Sequence, residues 1–230
     1  MRIAMLTNNY RPFVGGVPIS VERQARELIK LGHDVTVFAP FYGDTRTERD
    51  KLLREDEMAP ETVVRYRIRR KKMDNGMVYP VLFPEEIIRA FENKTFDCIH
   101  VHHPMFVGPL GVKLGKRYAI PVIFTCHTRY EDYLHYIPVF RVNGHSSGLK
   151  KRAVEWVRTT VIPSYIKWFA DQCDLVLAPS AGMQRVLRTY GMKSRSAVLP
   201  TGLEENFFLA DQERAVQIRR QYGKGKKYLL

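Results

Sequence analysis

Three short runs constrain the fold more than anything else in the chain: VTVFA (35–39), VIFT (122–125) and LVLA (175–178) are apolar throughout rather than at alternate positions. A strand reads this way when helices cover both of its faces. Strand-like and helix-like segments alternate from the first residue. Arg2–Thr7, Asp34–Ala39, Val63–Arg70, Cys98–His102, Pro121–Thr125, Leu175–Ala178 and Ser196–Leu199 read as strands. Pro18–Leu31, Glu85–Glu92, Gly108–Lys116, Leu149–Gln172 and Ala181–Tyr190 have helical spacing. Pro18 suits a first helical turn, Gly32 and Gly191 suit positions just past an end, and Pro163 predicts a kink or split in the long helix. Strands separated by helices pair in parallel through right-handed crossovers. The predicted fold class is therefore α/β, a Rossmann-like, doubly wound, mainly parallel sheet.

In such a sheet, ligands sit at the carboxyl ends of the strands. The loop after the first strand, NNYRPFVGGV (8–17), exceeds the ~2–6 residues usual for that connection, and long loops in compact domains are usually functional. Gly15 and Gly16 stand just before the helix, where the free N–H groups and the positive dipole end suit a phosphate. The loop is neither GxGxxG nor a P-loop. By residue chemistry alone it is equally a turn into the helix and a phosphate cradle.

Histidines collect at the same edge. The fourth strand ends in His100, His102 and His103, and the fifth in Cys126 and His127. His100 and His102 share a strand face, which would suit zinc, yet no carboxylate follows at ligand spacing and no metal is expected. His100 reads best as a hydrogen-bonded core residue. His127 precedes a polar, aromatic loop, TRYEDYLHYIP (128–138), where an imidazole would bond a phosphate or an acceptor hydroxyl.

The 230-residue chain carries a net charge of +13, which calls for nucleic acid, an anionic membrane or a phosphorylated substrate as partner. Arg65, Arg67 and Arg69 alternate along the third predicted strand and Arg70, Lys71 and Lys72 follow, so a row of cations on one face is expected to meet an anionic membrane surface. No nucleic-acid-binding motif accompanies them. The long helix interleaves Lys150, Lys151, Arg152, Arg158 and Lys167 with Trp156, Tyr165, Trp168 and Phe169. Its aromatics are expected in the core and its lysines on a solvated face. Three dispersed cysteines and an opening that reads as a strand lead to an expectation of a reducing compartment. No apolar run approaches the ~20 residues that span a bilayer.

Five segments, in order, resemble family-four retaining glycosyltransferases: NNYRPFVGGVPISVERQARELIKLGHDVTVFAP, FDCIHVHHP, IPVIFTCHTRYEDYLHYIP, DLVLAPSAGMQRVLRTYG and VLPTGLEENFF. The resemblance implies the N-terminal half of a GT-B fold, with residues 1–203 as the acceptor-side domain and 204–230 as the crossover and the start of a nucleotide-binding domain. Gly15, Gly16 and Val17 would meet the diphosphate of a nucleotide-sugar donor, UDP-glucose first among candidates. His127 would contact the donor at the reaction centre, with no metal and no tightly bound cofactor. Asn9, Tyr10, His102, His103, Thr128, Arg129, Tyr130 and Tyr133 are the expected acceptor contacts, with Glu131 or Asp132 orienting a hydroxyl. The HTRYEDYLHYIP stretch looks most like the branch that glycosylates diacylglycerol, implying a peripheral protein on the cytoplasmic face of the plasma membrane. A soluble or phosphorylated acceptor is the alternative within the family, and a non-catalytic polyanion-binding module the alternative outside it. The family's Glu-rich donor motif does not occur in these residues, so this chain alone is expected not to turn over.

Overall fold

A computed structural model describes residues 1–72, 76–144, 146–202 and 212–222, with the side chains of 70–72 and 212 outside that description. Chain contacts divide it into two compact units, Met1–Pro200 and Thr201–Leu230. In the second, Gln212–Tyr222 is helical.

The first unit is built on seven parallel strands: β1 (Arg2–Leu6), β2 (Asp34–Pro40), β3 (Thr62–Tyr66), β6 (Cys98–Val101), β7 (Val122–Thr125), β8 (Leu175–Ala178) and β9 (Ser196–Val198). Their order is β3-β2-β1-β6-β7-β8-β9. The chain winds outward from β1 in one direction, returns, and continues from β6 in the other. The switch point therefore lies between the carboxyl ends of β1 and β6.

Two hydrophobic layers hold this sheet, and β1 shows how the pleat serves both. Ile3 and Met5 join Val21 and Ala25 of α1 (Gly16–Lys30), together with Val35 and Val37. Ala4 and Leu6 face the opposite layer with Phe38, Ile87 and Phe91 of α3 (Glu85–Asn93), and Leu110 of α4 (Val107–Tyr118). Alternate residues of one strand thus feed opposite cores, which is why the strand can be apolar at every position.

Helix α4 lies unusually close to the sheet through glycine. A Cβ on Gly108 would stand 2.2 Å from the His103 carbonyl oxygen, and one on Gly115 would stand 2.3 Å from Val122 Cγ2. The chain enters α4 through Phe106, a non-glycine residue with φ 57° and ψ −99°. Such a conformation costs on the order of 1–3 kcal/mol and persists only where the surroundings enforce it.

Some expectations change. The predicted strand Val63–Arg70 is two strands in different sheets. β3 joins the main sheet, while β4 (Ile68–Lys72) pairs antiparallel with β5 (Val78–Pro80). Helix α2 (Arg46–Glu57) was not expected, although its capping box is visible in Thr45 and Glu48, whose side chains bond reciprocally to the backbone. The long helix is continuous but changes pitch. α5 (Gly148–Trp156) passes through one wider π turn, Val157–Val161, into α6 (Ile162–Ala170). Pro163 explains the turn, because its ring displaces the carbonyl four residues back and offers no N–H. Helix α7 (Ala181–Thr189) then leads into β9.

Candidate functional site

The loop after β1 is fastened from both sides of the switch point. The Asn8 backbone N–H donates to His103 Nδ1 at 3.1 Å, and Asn8 Nδ2 donates to the Met105 carbonyl at 2.9 Å. Tyr66 reaches from β3 to donate to the Thr7 carbonyl at 2.7 Å. The far end of the loop is pinned by charge. Arg11 bonds Glu61 and pairs with Asp56 at 3.4 Å, and Arg65 grips Asp56 through Nε at 2.7 Å and Nη2 at 2.8 Å. Arg65 Nη1 also donates to the carbonyls of Arg11 and Pro40.

Arg65 is thereby corrected. Its side chain is 2% exposed, so it braces the loop from inside and meets no membrane. Arg67 is exposed and paired with Glu85 and Glu86, and Arg69 is exposed beyond the strand break, so the row on one face does not exist. The side chains of Arg70, Lys71 and Lys72 lie outside the described residues. Tyr10 is corrected too. It is fully buried, and its hydroxyl donates to Glu61 at 2.8 Å instead of facing an acceptor. Burial beside Glu61 pushes its phenol far above the usual tyrosine range.

Helix α1 begins at this braced loop. Gly15, in extended backbone, is its N-cap and offers no capping side chain, whereas Thr45, Ser147 and Ser180 cap α2, α5 and α7. Pro18 has no N–H, and Ile19 already donates to the Gly15 carbonyl. The donors left at the terminus are the N–H groups of Gly16 and Val17. Gly16 is exposed, with no heavy atom within 4 Å of where its Cβ would stand. Val17 is half-buried against the α1 layer.

On the next two strands stand four histidines. His100 Nε2 meets Thr125 Oγ1 at 2.7 Å, as a core residue should. His102 Nδ1 lies 3.0 Å from His127 Nε2 and stacks near it, with ring centroids 5.3 Å apart. His103 accepts the Asn8 N–H at Nδ1, so its proton sits on Nε2. Burial holds His100 and His103 down at about 3 and His127 at about 4, and pushes His102 well below the usual histidine range. All four are neutral at pH 7. His102 Nε2 is buried without a partner among the described residues. A buried bare nitrogen costs less than a buried unpaired N–H, so His102 donates from Nδ1 to His127. That leaves the proton of His127 on Nδ1, which has no partner among the described residues. His127 therefore offers a neutral hydrogen-bond donor above the sheet edge.

His102 and His103 are buried, and His103 holds the Asn8 loop through Nδ1. Tyr130 packs partly into the larger core layer, with its hydroxyl buried and unpartnered. Asn9 Oδ1 is likewise buried without a partner among the described residues. The HTRYEDYLHYIP stretch forms 3-10 turns at Tyr130–Tyr136 and Pro138–Phe140. Within it Glu131 is buried, bonded by Arg129 at 3.0 Å and by Tyr190, while Asp132 and Tyr133 are exposed and Thr128 is half-buried. No group of three His, Cys, Asp or Glu side chains among the described residues is arranged to hold a metal ion. None of their helices is long and apolar enough to cross a membrane.

Comparison with known proteins agrees with this geometry. A family model described as Glycosyltransferase Family 4 matches residues 14–207. The chain is similar to the alpha-monoglucosyldiacylglycerol synthase of Streptococcus pneumoniae, at 30% identity over 237 residues covering 100% of this chain and 48% of that protein. It is similar to the synthase of the same name from Acholeplasma laidlawii at 25% identity, covering 95% of this chain and 50% of the other. The chain thus spans about half the length of these curated relatives. Among solved structures, Anabaena HepE in complex with UDP and glucose superposes with a TM-score of 0.57 at 15% identity, over 96% of this chain and 50% of that one. The shared architecture is the Rossmann-like half of a GT-B fold.

Proposed function

The chain belongs to Glycosyltransferase Family 4, and we propose that it is the acceptor-side half of a retaining enzyme that moves a hexose from a nucleotide sugar to a lipid hydroxyl. The observation that carries the reading is the uncapped start of α1 on the same sheet edge as His127. Two free N–H groups and a helix dipole face outward there, from a loop that buried ion pairs hold rigid. They would take the negative charge of the donor diphosphate, with UDP-glucose as the donor. The neutral His127 Nδ1–H would bond a donor oxygen and position it without adding charge. Asn9, Thr128, Arg129 and the Tyr130–Tyr136 turns would line the acceptor side.

The names of the relatives, both alpha-monoglucosyldiacylglycerol synthases, support diacylglycerol as acceptor; the cytoplasmic face of the membrane is the proposed place of reaction. Residues 1–203 would form this domain and 204–230 the crossover into the partner domain that holds the nucleotide. The test is transfer of labelled glucose from UDP-glucose into the organic phase with diacylglycerol vesicles. A chain extended to the length of its relatives should label lipid, and the same chain carrying His127→Ala should lose most of that activity. Labelling of a water-soluble acceptor alone would overturn the lipid assignment.

A further inference from the structure

The +13 charge calls for an anionic partner, and Arg65 is buried while Arg67 is paired with Glu85 and Glu86. The long helix offers a face for one. Tyr165 donates to the carbonyl of Pro104, just past the end of β6, so that residue stands level with the carboxyl edge of the sheet. From Tyr165 back to Gly148 there is roughly 25 Å of helix length. Helix α5 has no buried residue at all. Leu149, Ala153 and Trp156 fall at i, i+4 and i+7 and share one face. Leu149 is 79% exposed and Trp156 59% exposed. The 3-10 turn Tyr130–Tyr136 packs beside the π turn and α6, and in the segment that follows it Ile137, Val139 and Val142 are also exposed.

The charge on this surface has one sign. Residues 141–158 contain five Arg and Lys and one acidic residue, Glu155, which is paired with Arg158. Lys150, Lys151 and Arg152 are exposed and make no ion pair among the described residues. A helix with exposed apolar residues beside a run of cations unpaired among the described residues suits an interface with an apolar medium on one side and anions on the other.

We infer that the exposed surface formed by Ile137–Val142 and α5 enters the headgroup region of an anionic bilayer, with Leu149 and Trp156 at the acyl boundary and Lys150–Arg152 among the phosphates. This rests on the lipid-acceptor reading and gives it a geometry. At Tyr165 the long helix meets the same edge as His127, so a membrane docked there brings lipid hydroxyls to the rim of the site. The second domain of a longer chain is the competing occupant, and the excess of positive charge favours the bilayer.

Both tryptophans of the chain, Trp156 and Trp168, lie on this helix, about 18 Å apart. Trp168→Phe leaves Trp156 as the sole reporter, and Trp156→Phe leaves Trp168. With phosphatidylcholine vesicles containing phosphatidylglycerol, Trp156 emission should shift to the blue and be quenched by brominated acyl chains, while Trp168 changes little. The triple variant K150Q/K151Q/R152Q should partition onto those vesicles about a hundredfold more weakly at low salt. Sedimentation with the vesicles while Trp156 stays unshifted and unquenched would place the contact elsewhere and overturn the inference, leaving the lipid reading intact. Absence of any sedimentation at low salt would overturn both. Trp156 already blue-shifted without vesicles, in a chain extended to the length of its relatives, would assign the surface to the protein itself.

Discussion

Four histidines neutral in one buried cluster make the fold acid-sensitive above the range where carboxylates titrate. An unfolded histidine binds its proton near pH 6.5. In the fold, burial moves that point to about 3 for His100 and His103 and to about 4 for His127, and pushes His102 well below the usual histidine value. Between those limits the unfolded chain holds protons that the folded chain refuses, so stability is complete above pH 6.5 and is lost as pH falls. Each histidine contributes a slope of up to about 1.4 kcal/mol per pH unit, and four together up to about 5 kcal/mol per unit. Against a typical domain stability of 5–15 kcal/mol, two working histidines remove about 4 kcal/mol by pH 5 and about 7 by pH 4, enough to unfold a domain at the low end of that range. The carboxylates held low by their partners, such as Asp97 at about 2 beside Arg2, act only below this window. Urea denaturation followed by circular dichroism from pH 7.5 to 5 measures the slope. His103→Asn keeps an acceptor for the Asn8 N–H but cannot titrate there, and should lower the proton uptake on unfolding by about one. Uptake below one proton between pH 6 and 5 in the parent chain would refute the buried neutral cluster.

Asp56→Ala leaves the buried Arg65 guanidinium uncompensated and should cost about 3–5 kcal/mol. That would lower the melting temperature by roughly 10 °C, and a loss below 1 kcal/mol would show that the network does not brace the loop. Gly108→Ala drives a methyl into the His103 carbonyl and should destabilise by about 1–3 kcal/mol or more; thermal melts within 2 °C of the parent would contradict the close approach of α4. Gly16→Ala meets no atom and replaces glycine in a first helical turn, so stability should hold within about 1 kcal/mol. Donor affinity, measured by titration with UDP-glucose in a chain extended to the length of its relatives, should still fall tenfold or more; unchanged affinity would remove the phosphate cradle.

The main sheet was legible in the sequence because its signal is local. Fully apolar runs such as VIFT and LVLA mark strands covered on both faces, and caps such as Gly32 and Gly191 sit where the helix ends need left-handed backbone. The place of Arg65 was not legible for a physical reason. Alternation predicts which residues share a strand face, but not whether the strand continues or whether a partner waits behind it. Arg65 is bound to Asp56 from α2 and to carbonyls 54 and 25 residues away along the chain, and no local pattern encodes that pairing. The strain at Phe106 is equally silent, because the residue type opposes the conformation that the His103–Val107 corner imposes.

The glycine loop shows what the structure adds to such a reading. In sequence, Gly15-Gly16 was balanced between a turn and a phosphate cradle. A turn requires only that the chain enter α1, and capping by a side chain would serve that better, as it does at Thr45, Ser147 and Ser180. Here the cap is missing, Pro18 removes a donor that would otherwise go unpaired, and ion pairs hold the loop from within. Ordering a loop costs conformational entropy, and leaving helix donors open forgoes a stabilising cap. Helices α3 and α4 also start without a side-chain cap, so the missing cap alone does not single out α1; it is the exposed Gly16 on a loop braced by ion pairs that the proposed diphosphate contact requires.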